Sequence, residues 1–156
     1  MKYVITGAAG NISKPLAEKL LKAGHEVTVI SRHEKNIQSL ISLGAHAAIG
    51  SVEDTDFLTK TFTGADAVYT MVPPHFGATD WKGYIGQIGK NFAAALKNST
   101  VKYVVNLSSV GAHLPEGAGP VSGLYRAEQA LNELTNLSIK HLRPVYFYTN
   151  LLASIP

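Results

Sequence analysis

The sequence lacks cysteine altogether and contains only two methionines and one tryptophan among its 156 residues. Without cysteine, the chain forms no disulfide bond and uses no thiol as a nucleophile. Its six histidines show no pairing at the spacing of metal ligands, so the pattern also argues against a zinc site. The absence of thiols suits a reducing compartment, and we expect a cytoplasmic protein.

Long hydrophobic runs are missing too, since no stretch reaches the roughly 18 apolar residues that a membrane-spanning helix needs. No charged-then-apolar leader precedes the first predicted strand, so we expect a mature amino terminus and no membrane partner. The formal net charge is +3, and the basic residues form no stripe with interleaved aromatics. Nucleic acid is therefore not an expected partner. The length fits one domain, residues 1–156.

The beginning of the chain carries the strongest functional signal. Residues 3–6 read as a buried strand, which breaks at Gly7 and leads into a helical pattern that ends near Gly24. This order forms the phosphate cradle of dinucleotide-binding folds, because glycine lets the backbone approach a diphosphate and the helix N-terminus presents free N–H groups. The spacing Gly7-x-x-Gly10-x-x-Ser13 is the short-chain-reductase variant, with a small serine in the third position.

A second glycine series, Gly83-x-x-Gly86-x-x-Gly89, lies inside a helical pattern with no strand before it, and we do not interpret it as a nucleotide site. Each glycine costs a helix about 1 kcal/mol relative to alanine. Three of them therefore indicate a close approach to a neighbour, either a second subunit or the sheet. We predict a homo-oligomer that associates through helix 79–97.

Strands and helices alternate along the whole chain. Each strand is a near-continuous apolar run, which is typical of a parallel sheet covered on both faces. Repeated β–α units predict an α/β fold, a doubly wound parallel sheet of the Rossmann type in strand order 3-2-1-4-5-6. We expect a ligand across the carboxyl ends of strands 1 and 4, and a mobile lid at residues 113–123. The predicted strands are 3–6, 26–31, 45–49, 67–72, 103–107 and 139–143, and the predicted helices are 12–23, 34–43, 55–62, 79–97 and 124–136.

The end of strand 2 indicates which dinucleotide is preferred. An NAD-selective site places an Asp or Glu there to bind the ribose, whereas this sequence has Ser31 and Arg32, with Lys35 close by. A guanidinium binds phosphate through a planar fork. We therefore expect NADP(H) as the preferred cofactor, with NAD(H) as the alternative. The other interpretation makes Arg32 an ordinary surface residue at a helix start.

Two further segments are expected to border the cofactor. Residues 50–54 follow strand 3 and should lie beside the adenine, although Asp54 is more typical of an N-cap for the next helix. Pro73 follows strand 4, and proline cannot continue a central ladder of hydrogen bonds. The backbone is therefore expected to turn away at Pro73 and open the crevice.

Several motifs occur in one order along the chain: Thr6-Gly7-Ala-Ala-Gly10, Arg32, Pro73-Pro74, Asn-Leu-Ser-Ser-Val-Gly-Ala at 106–112, and His-Leu-Arg-Pro-Val-Tyr-Phe-Tyr-Thr-Asn-Leu-Leu at 141–152. With them the chain resembles the NmrA-like atypical short-chain dehydrogenases over essentially its whole length. That family includes NADPH-dependent quinone and isoflavone-type reductases, and also redox-sensing regulators that bind a dinucleotide without turnover.

The resemblance implies a set of cofactor contacts. Residues of the first glycine turn and the following helix start would wrap the pyrophosphate, and Arg32 would meet the 2′-phosphate. Val72 and Pro73 would flank the ribose and nicotinamide, the two serines at 108–109 would lie beneath the ring, and residues 144–147 would close the nicotinamide side. The full set of expected cofactor-binding residues is Thr6, Gly7, Gly10, Asn11, Ile12, Ser31, Arg32, Lys35, Val72, Pro73, Ser108, Ser109, Pro144, Tyr146 and Phe147.

The chain departs from the family at the catalytic tyrosine. Typical short-chain dehydrogenases carry Tyr-x-x-x-Lys, in which the ammonium lowers the tyrosine pKa so that the hydroxyl can exchange a proton. Here Gln129 follows Tyr125 at that spacing and cannot supply the charge. We therefore expect no relay centred on Tyr125, and no catalytic residue is assigned; Tyr125, Ser108 and His113 are candidates only.

The function favoured by the sequence is an NADPH-dependent oxidoreductase that reduces a quinone-like or other small acceptor by hydride transfer without a Tyr–Lys pair. One alternative is a non-catalytic NADP(H)-sensing regulator that binds a protein partner. A second alternative is a sugar epimerase or dehydratase, which the missing lysine disfavours.

A second departure concerns the end of the chain. Family members continue beyond the sixth strand into a lobe that walls the substrate pocket, whereas this sequence stops at Pro156. We expect a substrate lobe that is absent or minimal. The apolar tail 146–155 would then fold back on the crevice or lie under a second subunit.

Overall fold

The computed structural model describes residues 1–154, and the last two residues of the tail lie outside the described part. Within it, six parallel strands form one sheet in the order β3-β2-β1-β4-β5-β6, which confirms the predicted topology. The strands are β1 (Lys2–Ile5), β2 (Glu26–Ser31), β3 (His46–Ile49), β4 (Ala67–Met71), β5 (Tyr103–Leu107) and β6 (Ser138–Leu142). The helices are α1 (Ser13–Lys22), α2 (Gln38–Ile41), α3 (Thr55–Phe62), α4 (Trp81–Lys97) and α5 (Ser122–Asn132).

Helix boundaries depart from the prediction in two places. The predicted helix 34–43 is a 3₁₀ turn at Glu34–Asn36 followed by the single turn of α2, and the chain between them passes through Ile37, which is fully buried. The predicted helix 124–136 begins earlier, at Ser122, and ends at Asn132. No helix among the described residues is long and apolar enough to cross a bilayer.

Apolar side chains build a core on each face of the sheet. On one face, α3, α4 and α5 pack Phe62, Phe92 and Leu131 against the strands, and on the other α1 and α2 cover Val27 and Val29 of β2. Complete burial of side chains of this size contributes about 2–3 kcal/mol each. This packing holds the carboxyl ends of β1 and β4 side by side, with Ile5 in register with Tyr69.

The prediction that every strand is covered on both faces is wrong for β5 and β6. Tyr103, Val105 and Leu142 remain 53%, 36% and 49% exposed, on the face away from α4 and α5. An apolar run shows that a strand has two apolar faces, but it does not say what packs on each. Among the described residues, the apolar cluster under α1 and α2 covers this side over β1, β2 and β4 and reaches β5 through Leu107 alone.

Asp66 connects three strands at the amino edge of the sheet. Its carboxylate accepts a hydrogen bond from the Lys2 amide at 2.8 Å, and its own amide donates to the Lys2 carbonyl at 2.9 Å. Its carbonyl accepts from the amides of Lys102 and Tyr103, each at 3.3 Å. The starts of β1, β4 and β5 are therefore joined through one residue.

The glycines of α4 allow it to lie close to α5 of the same chain. A Cβ on Gly89 would overlap Ala127, and a Cβ on Gly86 would come within 3.1 Å of Arg126 Cβ. Gly83 is different, because a Cβ there would overlap the Asp80 carboxylate that caps the helix. The predicted close approach exists, but its partner is α5 and not the sheet.

The segment predicted as a lid is irregular only over residues 113–118, after which it forms a 3₁₀ turn at Gly119–Val121 and enters α5. One acidic residue anchors its irregular part. Glu116 pairs with Lys82 of α4 at 2.7 Å and with Arg126 of α5 at 3.2 Å. The hydrogen bond from Lys82, with its charge, holds the pKa of the Glu116 carboxyl below its usual value. The anchor is on the surface and is therefore open to screening by salt.

Candidate functional site

A cleft of about 340 Å³ opens at the carboxyl ends of β1 to β4, where the sequence predicts a ligand. Parallel strands place all their following loops at this edge, so four separate chain segments meet here. The cleft is lined by Gly7, Ala8, Ala9, Gly10, Ile30, Ser31, Arg32, His33, Asn36, Gly50, Ser51, Val52, Glu53, Met71, Pro73, Pro74 and Tyr84.

The glycine turn after β1 forms one wall. Gly7 has φ +64°, a left-handed conformation that other residues rarely adopt, and a Cβ there would overlap the Met71 side chain. The Gly10 amide donates to the Gly7 carbonyl at 2.9 Å, which closes the turn. Gly7 is therefore required as glycine on this path, whereas a Cβ on Gly10 would make one tight contact of 3.2 Å with the Gly7 carbonyl oxygen.

The N-terminus of α1 carries no side-chain cap. Its N-cap residue is Ile12, and its first turn has no acidic residue. By contrast, Asp54 caps α3 by accepting from the Phe57 amide at 2.9 Å, and Asp80 caps α4. The amides of Asn11 and Ile12 donate no hydrogen bond among the described residues. The free amides and the positive end of the helix dipole thus suit an anion beside the glycine turn.

Two hydroxyls are buried beside this turn without a partner. Neither Ser13 Oγ nor Tyr69 Oη forms a hydrogen bond among the described residues. Burial raises the pKa of Tyr69 to about 12, which the nearby Ser13 hydroxyl offsets only in part, so the phenol is neutral. Unpaired buried polar groups are uncommon, and these two hydroxyls lie close to each other and out of contact with solvent.

Arg32 lies at the other end of the cleft, after β2. Its side chain is exposed and forms no ion pair among the described residues. The turn that carries it is fixed by Ser31, whose hydroxyl donates to the His33 carbonyl at 2.9 Å and accepts from the His33 amide at 3.3 Å. An unpaired guanidinium on a fixed turn is suited to bind a phosphate.

Tyr84 of α4 and Glu53, which follows β3, also line the end of the cleft near Arg32. Burial raises the pKa of the Tyr84 phenol and the negative charge of Glu53 raises it further, while the Arg32 charge acts in the opposite direction. The three groups are therefore within electrostatic reach of one another. Asn91 supports the Glu53 loop, since its side-chain amide donates to the carbonyls of Val52 and Glu53 at 3.3 and 3.1 Å.

Five of the predicted cofactor-binding residues line the cleft: Gly7, Gly10, Ser31, Arg32 and Pro73. Asn11 and Ile12 stand at the adjoining start of α1, while Lys35 and Val72 do not line the cleft. Thr6 is fully buried, and its hydroxyl donates to the Met71 carbonyl at 3.2 Å and accepts from the Met71 amide at 2.7 Å. That hydroxyl holds β1 to β4.

The remaining predicted residues lie apart from the cleft, at the ends of β5 and β6. Backbone hydrogen bonds from Ser108 to Leu142 at 2.7 Å and from Val110 to Pro144 at 2.9 Å keep these two ends together. Ser109, Pro144 and Phe147 are partly buried there, and Tyr146 is 63% exposed. The described tail, residues 145–151, does not line the cleft, so the expectation that it folds back on the crevice is not met by these residues.

The Ser108 hydroxyl faces α5. It donates to Glu128 Oε1 at 2.5 Å, and Arg143 donates to both oxygens of the same carboxylate, through Nε at 3.0 Å and through Nη2. Glu128 is only 1% exposed. Burial alone would raise the pKa of its carboxyl, but the hydrogen bonds from Arg143 and Ser108 hold it below its ordinary value. The ion pair between Glu128 of α5 and Arg143, which follows β6, holds these two elements together.

A second chain of polar groups runs from β4 through β5 and β6 to the end of α5, buried at Thr70 and Asn106 and exposed at Asn132. Thr70 donates to Asn106 at 2.9 Å, Asn106 contacts His141 Nδ1 at 3.1 Å, and His141 Nε2 contacts Asn132 Oδ1 at 3.0 Å. This assigns a neutral imidazole that accepts at Nδ1 and donates at Nε2. Burial lowers the pKa of His141, and the Arg143 charge lowers it further against the opposing charge of Glu128.

The catalytic candidates are not gathered in the cleft. Tyr125 lies partly buried on α5 with Gln129 exposed one turn later, and His113 is exposed in the irregular loop. Neither lines the cleft, and Ser108 does not line it either. No cluster of potential metal ligands occurs among residues 1–154.

Sequence reasoning missed three lining residues, Ile30, Asn36 and Tyr84. Ile30 and Tyr84 were assigned only to apolar patterns of a strand and a helix. For Tyr84, the available signal was its place in the first turn after the cap Asp80, because a helix that starts over a sheet edge directs its first turn toward that edge. The segment expected beside the adenine does line the cleft, and Asp54 within it is an N-cap.

A family profile described as NAD(P)H-binding matches residues 7–143. Among solved structures, the triphenylmethane reductase of Citrobacter sp. complexed with NADP(H) is 21% identical with a TM-score of 0.80, over 99% of this chain and 54% of that one. The NADPH-dependent quinone oxidoreductase QOR2 of Escherichia coli complexed with NADPH is 21% identical with a TM-score of 0.79, over 97% and 52%. The UDP-glucuronic acid 4-epimerase of Bacillus cereus in complex with NAD is 23% identical with a TM-score of 0.76, over 93% and 56%.

The chain therefore spans about half the length of each of these solved proteins. Their likeness establishes a shared fold, and the profile covers most of the sequence. Both agree with the resemblance to NmrA-like short-chain dehydrogenases drawn from the motifs. The chain belongs to the NAD(P)H-binding family.

Proposed function

We propose that the protein binds NADP(H) in the cleft between β1 and β4 and supports hydride transfer to a quinone-like or other small acceptor. The observation that carries the proposal is the pairing of two anion-seeking groups in one cleft, the uncapped start of α1 and the unpaired Arg32. A dinucleotide phosphate offers negative charge at both of these positions.

The residues of the cleft fit such a cofactor. The turn at Gly7 and Gly10 brings backbone amides to a diphosphate, with the unpartnered Ser13 and Tyr69 hydroxyls beside it. The segment 50–53 and Tyr84 would enclose the adenine, and Arg32 would bind a 2′-phosphate. When bound, the cofactor supplies the hydride, and the chain's part is to position it.

Arg32 supports a preference for NADP(H). The carboxylate that would favour NAD(H) is missing from the turn after β2, although Glu53 brings one to the neighbouring loop. Because Glu53 forms no ion pair with Arg32, the guanidinium keeps its capacity for phosphate. Solved structures of this fold were obtained both with NADP(H) or NADPH and with NAD.

A second candidate, a non-catalytic NADP(H) sensor that binds a protein partner, is favoured by a specific observation. The Ser108 hydroxyl donates its hydrogen bond to Glu128, and Tyr125 has no lysine four residues later. Neither residue lines the cleft, so neither is assigned as a proton donor to a substrate there. A quinone can take its protons from water, whereas a sugar epimerase or dehydratase would need a positioned base. For the same reason, we consider the epimerase-like function the least favoured of the three.

The test combines binding with turnover. Titration of NADPH, NADH and their oxidised forms against the fluorescence of Trp81 and by calorimetry should show the tightest binding for NADPH or NADP⁺. Steady oxidation of NADPH with a panel of quinones would support the reductase, and tight binding without oxidation would support the sensor. Absence of binding to every nicotinamide dinucleotide at millimolar concentration would refute both.

A further inference from the structure

We propose that Met71 is an oxidation-sensitive site, and that converting its thioether to a sulfoxide prevents a dinucleotide from entering the glycine turn. The proposal rests on the proposed function in one respect only, that the turn at Gly7 and Gly10 binds the diphosphate. It concerns a modification of this chain's own side chain and not the hydride acceptor.

The position of Met71 is the first argument. It is the last residue of β4, its side chain is partly exposed, and it lines the cleft. A Cβ built on Gly7 would overlap Met71 Cε and would lie 3.3 Å from Met71 Sδ. The terminal methyl group of Met71 therefore fills the space beside Gly7 that a side chain there would occupy, and the sulfur is the next atom along.

Thr6 prevents the backbone of Met71 from moving away. The Thr6 hydroxyl bonds to both the amide and the carbonyl of Met71, at 2.7 and 3.2 Å, and Thr6 is fully buried. The Thr6 amide also donates to the Tyr69 carbonyl at 3.1 Å. An enlarged side chain at 71 must therefore be accommodated by the turn or by the cleft, since the strand end is fixed.

The chemistry of oxidation gives the second argument. A peroxide transfers one oxygen to the sulfur: the O–O bond breaks, an S–O bond forms, the thioether loses two electrons, and the peroxide is reduced to water. The product is polar and a strong hydrogen-bond acceptor, in place of a flexible apolar group.

The surroundings of Met71 determine what that new oxygen does. The free donors beside the turn include its own amides and those at the uncapped start of α1, the groups that suit a diphosphate. A sulfoxide oxygen bonded to them competes with the phosphate oxygens for the same donors. Steric crowding of Gly7 and competition for the amides act in the same direction, and both weaken dinucleotide binding.

Because the sequence contains so few sulfur atoms, oxidation of Met71 can be followed separately from other oxidation. The sequence has two methionines and no cysteine, so Met71 supplies the only sulfur atom at the cleft. The other methionine, Met1, is 56% exposed and precedes β1 at the amino edge of the sheet, opposite the cleft. Met1 therefore serves as an internal control for oxidation that does not touch the glycine turn.

The experiment treats the purified protein with hydrogen peroxide, with and without saturating NADPH, and follows each methionine by peptide mass as a gain of about 16 Da. We expect the Met71 sulfoxide to weaken NADPH binding about tenfold or more while circular dichroism stays native. Methionine sulfoxide reductases for both stereoisomers, with a dithiol donor, should restore binding. Bound NADPH should slow oxidation of Met71 and leave Met1 unaffected.

Met71→Leu provides the matched variant, because leucine fills similar space and cannot be oxidised. Whatever its starting affinity for NADPH, that affinity should not change after peroxide. Equal NADPH affinity of the Met71-oxidised and unoxidised wild-type protein would overturn the proposal, and so would peroxide sensitivity of the leucine variant. If the unoxidised wild-type protein fails to bind NADPH, the proposed function itself is refuted, which the untreated sample reveals before any oxidation.

Discussion

Arg32 extends a positive charge into the cleft from a turn that Ser31 holds in place. We expect Arg32→Ala to weaken NADPH binding about 10- to 100-fold, because a charge-assisted hydrogen bond contributes about 1.5–3 kcal/mol. NADH lacks the 2′-phosphate, so its affinity should change little. Titration of both cofactors against each variant measures the difference.

The matched control for that substitution is Lys60→Ala, which removes the same charge from an exposed position on α3. It should leave both affinities unchanged. Equal weakening of NADPH and NADH by Arg32→Ala would show that Arg32 does not contact a 2′-phosphate.

His141 makes stability sensitive to acid. Because burial lowers its pKa in the folded state, the unfolded chain binds a proton more readily, and folding loses free energy as the pH falls below the unfolded value of 6.5. The lowered pKa of Glu128 adds a further loss only below the unfolded value of 4.5. Between pH 7.5 and 5.5, we expect His141 to contribute to the loss and Glu128 not to.

Urea unfolding at those two pH values tests this assignment. His141→Gln keeps a donor and an acceptor in the side chain but cannot be protonated, so the free energy of unfolding should fall less between pH 7.5 and 5.5 than in the wild-type protein. The same pH slope in both proteins would show that His141 remains able to take up its proton in the folded state.

At the scale of single residues, the sequence predicted which residues would line the cleft when they directly follow a strand. Gly7, Gly10, Arg32 and Pro73 follow strand ends, and parallel topology alone brings such positions to one edge. Ser108 follows a strand end too, yet its hydroxyl donates to Glu128, twenty residues away on α5. That pairing depends on how α5 packs, which no local pattern encodes.

Among the elements, α4 and α5 form the tightest contact, and the missing side chain of Gly89 makes it possible. We expect Gly89→Ala to destabilise the protein by about 1–3 kcal/mol through overpacking against Ala127, even though alanine favours helix by about 1 kcal/mol over glycine. Denaturant unfolding measures the change.

Lys60→Ala, at an exposed helical position on α3 outside the contact between α4 and α5, is the control and should shift stability by no more than about 0.5 kcal/mol. A more stable Gly89→Ala protein would mean that the two helices separate easily and that the close contact is not required.

Secondary structure was predictable because each β–α unit repeats a clear pattern, an apolar run and then a helical period. The start of α3 was signalled locally by its cap Asp54, whereas α4 begins after its cap Asp80, two residues later than the predicted helix 79–97. The open face of β5 and β6 was not predictable, because coverage of a face depends on where other elements pack. Strand composition is similar for a covered and an uncovered face.

At the scale of the whole molecule, the glycines of α4 no longer support the predicted homo-oligomer, because Gly86 and Gly89 pack against α5 of the same chain. The prediction must therefore depend on another surface. The outer side of these helices offers one. A groove of about 290 Å³ there is lined by Lys90, Ala93, Ala94, Lys97, Ala130, Glu133 and Leu134. Its apolar floor and its charges of both signs could be matched by a second copy related by twofold symmetry.

We therefore expect a dimer in solution, measured by light scattering across a range of concentrations, and conversion to a monomer in Ala94→Arg, which fills the groove. Ser39→Arg adds the same side chain to α2, on the other side of the sheet, and should leave the dimer intact. A wild-type protein that stays monomeric at high concentration would contradict the prediction.

The hydrogen bonds of Asp66 have a consequence for motion in the molecule. They fasten β1, β4 and β5 at one edge of the sheet, and the crevice lies at the opposite edge. Because Thr6 also holds β1 to β4 at the carboxyl edge, changes in the width of the crevice are expected in the loops that follow the strands. In hydrogen exchange, the amides of Lys2, Lys102 and Tyr103 would mark that base as the slowly opening part, and protection would vary mainly toward the loops.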